Sequence, residues 1–258
     1  MRPISELSSL AGRRALVVGG AGHLGGAAAE TLVELGAEVA VWDVDEAGAA
    51  AVPGTIALAA DLRDEAATRA CVGDAVARLG GLDVLVHAAA LVGSSDRDGW
   101  AVPFAEQSLS AWEEALRVNV SSAFVVAQAA APELARSGHG SIILFGSIYG
   151  RVGPDPSLYE GTSLANPVAY GVGKGGTLQL MRYLATMLAP AVRVNTISPG
   201  GVERGQPDAF RTRYAQRTPL RRMATEEDVK GAVAFLASDL SAYVTGHDLV
   251  VDGGWTTW

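Results

Sequence analysis

Cysteine is nearly absent from this chain, since its 258 residues contain only Cys71. A single cysteine cannot form an internal disulfide, which is typical of proteins that fold in a reducing compartment. Cys71 lies in a segment of helical spacing, where we interpret it as a small buried side chain rather than a reactive one. The sequence therefore predicts a cytoplasmic protein that needs no covalent cross-link.

Long apolar runs and an excess of basic charge are also missing. No stretch approaches the roughly 18 consecutive apolar residues of a membrane span, and residues 1–10 lack the apolar run of a secretion signal. Lysine and arginine total 20 against 28 aspartates and glutamates, a formal net charge of −8. Such a chain is a poor partner for nucleic acid or anionic lipid. We expect a small-molecule substrate and neither nucleic-acid nor membrane binding.

Histidine is scarce and scattered, which argues against a metal site. The four histidines fall on separate predicted elements and lack the close spacing of metal ligands. They are His23, His87, His139 and His247. The sequence therefore predicts no metal ion.

Short apolar runs alternate with longer segments of helical spacing along the whole chain. The predicted strands cover residues 15–18, 37–42, 55–59, 84–87, 141–145, 192–197 and 248–251. The predicted helices cover residues 24–35, 64–79, 110–136, 167–188 and 225–238. No linker or repeat divides the chain. This order predicts the α/β class: one Rossmann-fold domain over residues 1–258, with a doubly wound, parallel seven-stranded sheet and helices on both faces.

Three segments between these elements are predicted to be long and irregular, and long loops in a compact fold tend to be functional. They cover residues 93–107, 151–166 and 201–220.

A glycine-rich turn joins the first predicted strand to the first predicted helix. Gly19, Gly22 and Gly25 are spaced three and three apart, with His23 and Leu24 between the last two. Glycines without Cβ atoms let a backbone approach a pyrophosphate closely, and the helix that follows offers free N–H groups to the phosphates. The strand before the turn and the helix after it make this a predicted dinucleotide site.

An acidic residue ends the second predicted strand, where a dinucleotide would place its adenosine ribose. The Asp43 carboxylate can accept hydrogen bonds from both ribose hydroxyls and would repel a 2′-phosphate. No lysine or arginine lies in the glycine turn or just after Asp43. The sequence therefore favours NAD over NADP. Asp61, after the third strand, is predicted to bond the adenine amino group, with Leu62 against the ring.

The chemistry is predicted at Tyr170 and Lys174, which share one face of a helix because they are four residues apart. A phenol with a pKa near 10 is a poor proton shuttle at neutral pH. An ammonium about 4 Å away, at an effective dielectric of about 20, would supply roughly 4 kcal/mol and lower the pKa of Tyr170 towards neutrality. Ser147 ends the strand before this helix, and Asn119 lies inside the 110–136 helix, where asparagine is a mediocre helix former.

Together these residues resemble the short-chain dehydrogenase/reductase family along almost the whole chain. The match includes the glycine turn, Asp43, Asp61, Asn119, Ser147, Tyr170, Lys174, Asn195, the run 198–200 and the tail from Tyr243 to Gly254. The resemblance implies that Tyr170 is the acid and base and that Lys174 binds the nicotinamide ribose and lowers the pKa of Tyr170. It also implies that Ser147 orients the substrate oxygen and that Asn119 anchors a proton-relay water. Further cofactor contacts would be Ala88, Ala89, Ala90, Pro199, Gly200 and Val202, and the assembly would be a homotetramer or homodimer.

The sequence departs from the family pattern at several positions. Val18 stands where the family usually has threonine, and His87 stands where it has asparagine; we expect His87 to replace the lost hydrogen bonds. Ser147 and Tyr170 are 23 positions apart, farther than is usual. The inserted residues must lie near the substrate, and Arg151, Tyr159 and Glu160 are predicted to bind a polar substrate such as a sugar. The alternative is a surface loop used for subunit contact.

The stretch from Ser147 to Tyr170 also resembles a bacterial subgroup associated with flagellin or acidic-sugar modification, which favours an amino sugar or polyol as substrate. The run from Gly201 to Arg204 follows Pro199 and Gly200 at a place where the family generally offers threonine to the nicotinamide carboxamide. Either the backbone takes over this contact or the cofactor is held less tightly. The segment from Gly205 to Arg217 is predicted to be a mobile lid. Its arginines could meet a phosphate or carboxylate, or form a solvated helix face: Arg204, Arg211, Arg213 and Arg217. Trp255 and Trp258, at the chain end, are predicted to be exposed to another subunit.

The leading prediction is an oxidoreductase that interconverts a secondary alcohol and a ketone with a nicotinamide cofactor. A 3-oxoacyl-thioester reductase is the alternative within the enzymes, although Asp43 argues against it because biosynthetic reductions usually draw on NADPH. A protein that binds NAD without catalysis and regulates a partner is the alternative of another class. The presence of Asn119, Ser147, Tyr170 and Lys174 together argues against that regulatory role.

Overall fold

A computed structural model describes residues 1–93 and 95–258. Within them, seven parallel strands form one sheet in the order β3-β2-β1-β4-β5-β6-β7. The strands are β1 Arg14–Val18, β2 Glu38–Asp43, β3 Thr55–Ala59, β4 Val84–His87, β5 Gly140–Phe145, β6 Val192–Pro199 and β7 Asp248–Val251. The order reverses between β1 and β4, and such a switch point opens a crevice at the carboxyl ends of the strands. This confirms the predicted Rossmann sheet.

Helices connect the strands and cover the sheet on both faces. They are α1 Ile4–Ser8, α2 His23–Glu34, α3 Glu46–Ala50, α4 Glu65–Leu79, α5 Leu109–Leu116, α6 Ser122–Ser137, α7 Val168–Leu188, α8 Asp208–Arg217 and α9 Glu227–Ala237. Side chains of β1 alternate between two cores, because successive residues of a strand point to opposite faces. Leu16 packs with α4, α6 and α7, whereas Val17 packs with α2 and α9. Among the described residues, none of these helices is long and apolar enough to span a bilayer.

The structure corrects the predicted elements at three places. The predicted 110–136 helix is interrupted by a π-helical turn at Arg117–Ser121. The segment predicted as irregular at 201–220 contains α8, whose Phe210 and Tyr214 are buried against Trp255. Trp255 is therefore 2% exposed, and the prediction that it is an exposed residue was wrong, although Trp258 remains 70% exposed. Ser94, in the first predicted loop, lies outside the described residues.

Buried Cys71 sits in the core on α4, as its spacing predicted. Burial is the largest cause that raises the pKa of its thiol to about 11. A thiol held in its protonated form is a poor nucleophile. Cys71 is therefore a packing residue.

Candidate active site

A cavity of about 1170 Å³ lies at the carboxyl ends of the strands, across the point where the strand order reverses. Asp43 at the end of β2 lines one part of it, and Ser147 and Tyr170, beyond β5, line another. The predicted cofactor residues that line it are Gly19, Gly22, His23, Leu24, Gly25, Asp43, Asp61, Leu62, Ala88, Ala89, Ala90, Tyr170, Pro199, Gly200 and Val202. The fold thus brings most of the predicted site residues together in one crevice.

The glycine turn is packed too closely for any other side chain at two of its positions. Gly19 has φ +81°, and a Cβ there would lie 2.4 Å from the backbone nitrogen of Ala89, two residues after the end of β4. A Cβ on Gly25 would lie 2.1 Å from the Gly19 carbonyl oxygen. Gly22 precedes α2 in an extended conformation and makes no side-chain cap. The first residues of α2 line the cavity, so their free N–H groups are available there, as a phosphate site requires.

Asp43 is anchored beside this turn. Its Oδ2 accepts a hydrogen bond from the Ala21 N–H at 3.0 Å, and its Oδ1 accepts one from the Asp45 N–H at 3.2 Å. Each carboxylate oxygen keeps a further lone pair for a ligand hydroxyl. The carboxylate is therefore held in place by the backbone while it faces the cavity.

Asp61 has a partner that the sequence analysis missed. Arg63 Nε donates to both Asp61 oxygens at 2.9 and 3.0 Å, and Arg63 Nη2 donates to Oδ2 at 2.6 Å. This hydrogen bonding is the largest cause that lowers the pKa of Asp61. The two-residue spacing between the aspartate and the arginine was the signal for the pair. The assignment of Asp61 to an adenine amino group stays a prediction.

Tyr170 and Ser147 meet at the other part of the cavity. Ser147 Oγ accepts a hydrogen bond from the Tyr149 N–H at 3.2 Å, which fixes the hydroxyl just beyond β5. Burial is the largest cause that raises the pKa of Tyr170, and a hydrogen bond with Ser147 opposes it. Burial thus favours the neutral phenol of Tyr170, and the neighbouring Ser147 hydroxyl favours its ionised form.

Lys174 lies against the Tyr170 ring. Its Nζ is 5.7 Å from the ring centroid and donates to the Phe145 carbonyl at 2.7 Å. Burial lowers the pKa of Lys174 to about 8. Lys174 is not among the groups that shift the pKa of Tyr170 in this structure. That its ammonium, together with an oxidised nicotinamide, brings the pKa of Tyr170 towards neutrality stays a prediction.

Asn119 lies in the π-helical turn and clamps a main-chain segment. Its Oδ1 accepts from the Leu91 N–H at 2.7 Å, and its Nδ2 donates to the Leu91 carbonyl at 3.1 Å. Its own carbonyl accepts from Thr177 Oγ1 at 3.3 Å. The side chain is thus used to position the loop after β4, where Ala88 to Leu91 line the cavity. A water-anchoring role for Asn119 stays a prediction.

Comparison with known proteins agrees with this arrangement. A family model described as "Enoyl-(Acyl carrier protein) reductase" matches residues 19–256, from the glycine turn through Ser147 and Tyr170 to the C-terminal tail. The chain belongs to the short-chain dehydrogenase/reductase family. It is an NAD(P)-dependent oxidoreductase that acts on CH–OH groups.

Individual relatives align over nearly the whole of this dehydrogenase. It is 33% identical to 2,5-dichloro-2,5-cyclohexadiene-1,4-diol dehydrogenase of Sphingobium indicum, over 96% of this chain and 97% of that one. It is 34% identical to a probable galactose dehydrogenase of Rhizobium meliloti, over 98% of each chain. A gluconate 5-dehydrogenase from Burkholderia cenocepacia, solved with NADP and tartrate, superimposes with a TM-score of 0.86 at 27% identity, covering 99% of this chain and 100% of that one.

His87 has a structural role in this short-chain dehydrogenase. Its Nε2 lies 2.9 Å from Ser122 Oγ, and Ser122 Oγ donates to the Val118 carbonyl at 2.6 Å. Because that hydroxyl proton is already used, His87 must donate from Nε2. Burial, with the charge of Lys174 as the second cause, lowers the pKa of His87 to about 3. His87 is therefore a neutral, buried hydrogen-bond donor that ties the end of β4 to α6.

Of the three predicted substrate residues, one lines the cavity and two do not. Tyr159 lines the cavity, and its hydroxyl lies 2.9 Å from the Tyr149 hydroxyl and 3.4 Å from Asn166 Nδ2. Arg151 instead pairs with Asp248 at 2.7 Å, and Glu160 is exposed. Among the described residues, neither Arg151 nor Glu160 lines the cavity. Tyr149 and Asn166 do line it, and the sequence analysis named neither of them as a site residue.

The arginines of the dehydrogenase's predicted lid have protein partners. Arg211 pairs with Glu203 and Asp208, while Arg213 donates to carbonyls of the inserted segment. Arg217 pairs with Asp155 and lies 4.5 Å over the Trp255 ring. These three do not line the cavity among the described residues. Arg213 and Arg217 join α8 to the inserted segment, and the prediction of a shared phosphate or carboxylate site does not hold for these three arginines.

Proposed function

We propose that this protein is an NAD-dependent dehydrogenase that oxidises one secondary hydroxyl of a small polyhydroxylated molecule, such as a sugar, a polyol or a cyclic diol. The reverse reaction reduces the matching ketone. The observation that carries the proposal is that one cavity joins Asp43 and the glycine turn to a Ser147–Tyr170 pair surrounded by further tyrosine hydroxyls. The relatives named for a cyclic diol and for galactose support this substrate class.

The residues of the cavity fit a nicotinamide dinucleotide. A Cβ at Gly19 or Gly25 would collide with backbone, so the turn is shaped for close main-chain approach. Asp43 would hold the adenosine ribose, α2 the pyrophosphate, and Lys174 and Tyr170 the nicotinamide ribose. Bound NAD would supply the hydride acceptor for alcohol oxidation. The Asp43 carboxylate, with Asp45 also lining the cavity, would repel a 2′-phosphate, which supports NAD over NADP.

The proton chemistry falls to Tyr170. In ketone reduction, the Tyr170 hydroxyl gives its proton to the substrate oxygen while the Ser147 hydroxyl donates a hydrogen bond to that oxygen. In alcohol oxidation, the Tyr170 phenolate takes the proton. Since burial raises the pKa of Tyr170, we expect oxidation to accelerate as the pH rises, while reduction does not share this increase. The buried Lys174 ammonium stabilises the phenolate from below the ring.

The substrate part of the cavity combines aromatic faces with polar tips. Tyr149 and Tyr159 present phenol hydroxyls that contact each other and Asn166, and Phe210 and Tyr214 line the same wall. A molecule with a second hydroxyl can exchange hydrogen bonds with this pair, whereas a mono-alcohol leaves the pair unused. This is the feature that favours a polyhydroxylated substrate over a 3-oxoacyl thioester.

A substrate and cofactor screen tests the proposal. Purified protein is assayed with NAD and NADP against polyols, sugars, cyclohexane-1,2-diol, cyclohexanol and 3-oxoacyl thioesters. We expect turnover of a diol or polyol with NAD, and binding of NADH at least about tenfold tighter than NADPH, as a charge repulsion of about 1.4 kcal/mol would give. Preference for a 3-oxoacyl thioester with NADPH would replace the proposal with the reductase alternative. NADH binding without any turnover would favour the regulatory alternative.

The role of the tyrosine pair is tested by Tyr149→Phe and Tyr159→Phe. Each change should raise KM for a diol roughly three- to tenfold, the range of one neutral hydrogen bond, and leave KM for cyclohexanol unchanged. Tyr243→Phe, at an exposed position outside the cavity, is the matched control. Equal effects on diol and mono-alcohol would remove the tyrosine pair from substrate recognition.

We further propose that the protein is a cytoplasmic homotetramer or homodimer. The outer faces of α6 and α7 support this, because they expose large apolar side chains: Phe124, Val168, Val172, Tyr183 and Met187. Analytical ultracentrifugation tests the assembly, and a monomer at micromolar concentration would contradict it. The resemblance to the subgroup associated with flagellin or acidic-sugar modification places amino sugars in the substrate screen.

A further inference from the structure

The loop after β6 brings an arginine to the glycine turn. Arg204 lines the cavity, and its Nη1 lies 2.7 Å from Glu226 Oε1. The same carboxylate oxygen lies 3.6 Å from Nδ1 of His23, the first residue of α2. The guanidinium is therefore close to the end of α2 that presents its N–H groups to the cavity.

The position of this arginine is set by backbone contacts. Val202 forms a bridge with Ala224, and the Glu203 N–H donates to the Ala224 carbonyl at 2.9 Å. The Arg204 N–H donates to Gln206 Oε1 at 2.7 Å, and Gln206 Nε2 returns a hydrogen bond to the Val202 carbonyl at 2.9 Å. Hydrogen bonds within the loop thus fix the backbone that carries the guanidinium.

One edge of the guanidinium makes no hydrogen bond to a described residue. Its contacts with described residues, to the Glu226 carboxylate and to the Glu203 carbonyl at 2.6 Å, both use Nη1. An arginine has five N–H donors in a planar fork, so the edge formed by Nε and Nη2 remains for a ligand. Glu226 is partly exposed and can keep hold of Nη1 while that edge binds an anion.

The glycine turn needs such a cation. Residues 19–26 contain neither lysine nor arginine, and a helix N-terminus supplies only about half a positive charge. A pyrophosphate brings two negative charges to a chain whose net charge is already −8. Asp43 and Glu226 add negative potential nearby, so the helix end alone leaves the phosphates poorly compensated.

We propose that Arg204 is a further cofactor-binding residue, which binds the pyrophosphate of the dinucleotide through its Nε–Nη2 edge while Glu226 holds Nη1. This inference rests on the proposed function, since it assumes that the cavity binds a dinucleotide.

The test compares the binding of three ligands by calorimetry: NADH, ADP-ribose and adenosine. ADP-ribose keeps the pyrophosphate without the nicotinamide, and adenosine lacks both. Arg204→Gln keeps a polar side chain of similar reach without the charge, and Arg204→Thr removes both the charge and the reach. Arg136→Ala is the control, because Arg136 lies on α6, is exposed, and pairs only with Glu133 among the described residues.

We expect both Arg204 variants to weaken NADH and ADP-ribose by a similar factor, roughly 10- to 100-fold, the range of a hydrogen bond to a charged group. Adenosine binding and the Arg136→Ala variant should match the wild type. Added salt should weaken NADH binding less in Arg204→Gln than in the wild type, because one screened ionic contact is gone.

Three outcomes would overturn the inference. Affinities of the Arg204 variants equal to those of Arg136→Ala would show that the guanidinium makes no contact with the cofactor. A loss confined to NADH would assign Arg204 to the nicotinamide, and an equal loss for adenosine would indicate a general distortion of the cleft. If the wild type bound no dinucleotide at all, the proposed function itself would fail.

Discussion

The buried histidine at the end of β4 makes the stability of this protein depend on pH in a calculable way. His87 is 4% exposed, and its pKa is lowered from 6.5 to about 3 by burial and by the Lys174 charge. The folded protein therefore keeps His87 neutral at a pH where the unfolded chain binds a proton. The contribution of neutral His87 to the free energy of unfolding is therefore complete above pH 6.5. It is lost as the pH falls from 6.5 towards 3.

The size of this loss follows from the two pKa values. Each pH unit below 6.5 costs about 1.4 kcal/mol for one proton bound only by the unfolded chain. Between pH 7.5 and pH 5, His87 should therefore lower the free energy of unfolding by about 2 kcal/mol. This is a sizeable part of the 5–15 kcal/mol that stabilises a typical domain.

The measurement is urea unfolding at pH 7.5, 6.5, 5.5 and 5.0, for the wild type and for His87→Gln at one protein concentration. Glutamine can donate to Ser122 Oγ from its amide but does not titrate, so the variant should lose about 2 kcal/mol less over this range. His139→Gln, at an exposed position, is the control and should follow the wild type. Parallel pH curves for the wild type and His87→Gln would show that His87 titrates in the folded protein and would refute the reasoning.

Three further predictions concern the framework of the site. Asn119→Ala leaves both main-chain groups of Leu91 without their partner, so we expect a loss of about 2 kcal/mol in urea unfolding, and an unchanged midpoint would contradict the clamp. Gly25→Ala forces a Cβ against the turn and should weaken NADH binding more than tenfold by calorimetry, whereas Gly73→Ala, in open space within α4, should stabilise the protein by up to about 1 kcal/mol. Equal NADH affinities in these two variants would refute the close packing of the turn. Arg217→Ala removes an ion pair and a cation–π contact, so limited proteolysis should cut the inserted segment faster, and an unchanged cleavage rate would show that α8 does not hold it.

The sheet was predictable because each strand is a short apolar run between glycines, helix breakers or polar segments. The predicted bounds of β3, β4 and β7 agree with the structure, and the other strands differ by one or two residues at an end. α8 was missed because its sequence is rich in arginine and buries only Phe210 and Tyr214. These side chains pack on Trp255 and Tyr159, which are far away in the sequence.

The site was predictable where a residue type is fixed by backbone geometry and less so where two side chains compete. The glycine turn and Asp43 lie where their spacing predicted, since strand ends meet at one edge of a parallel sheet. Lys174 shares a helix face with Tyr170, but spacing alone could not show that its ammonium donates a hydrogen bond to the Phe145 carbonyl. Nor could spacing show that Asn119 would be used by the Leu91 main chain.

The central claim is that Tyr170 transfers the proton at one end of a dinucleotide site to which it contributes only one ribose contact. It is tested most directly by Tyr170→Phe, with kcat measured on the best substrate of the screen and the Kd of NADH measured by fluorescence. We predict that kcat falls at least about a hundredfold, as removal of a general acid and base does. The Kd of NADH should rise by no more than about tenfold, the range of one neutral hydrogen bond. A variant that keeps most of its turnover would contradict the assignment of Tyr170, and so would one that loses NADH binding together with activity.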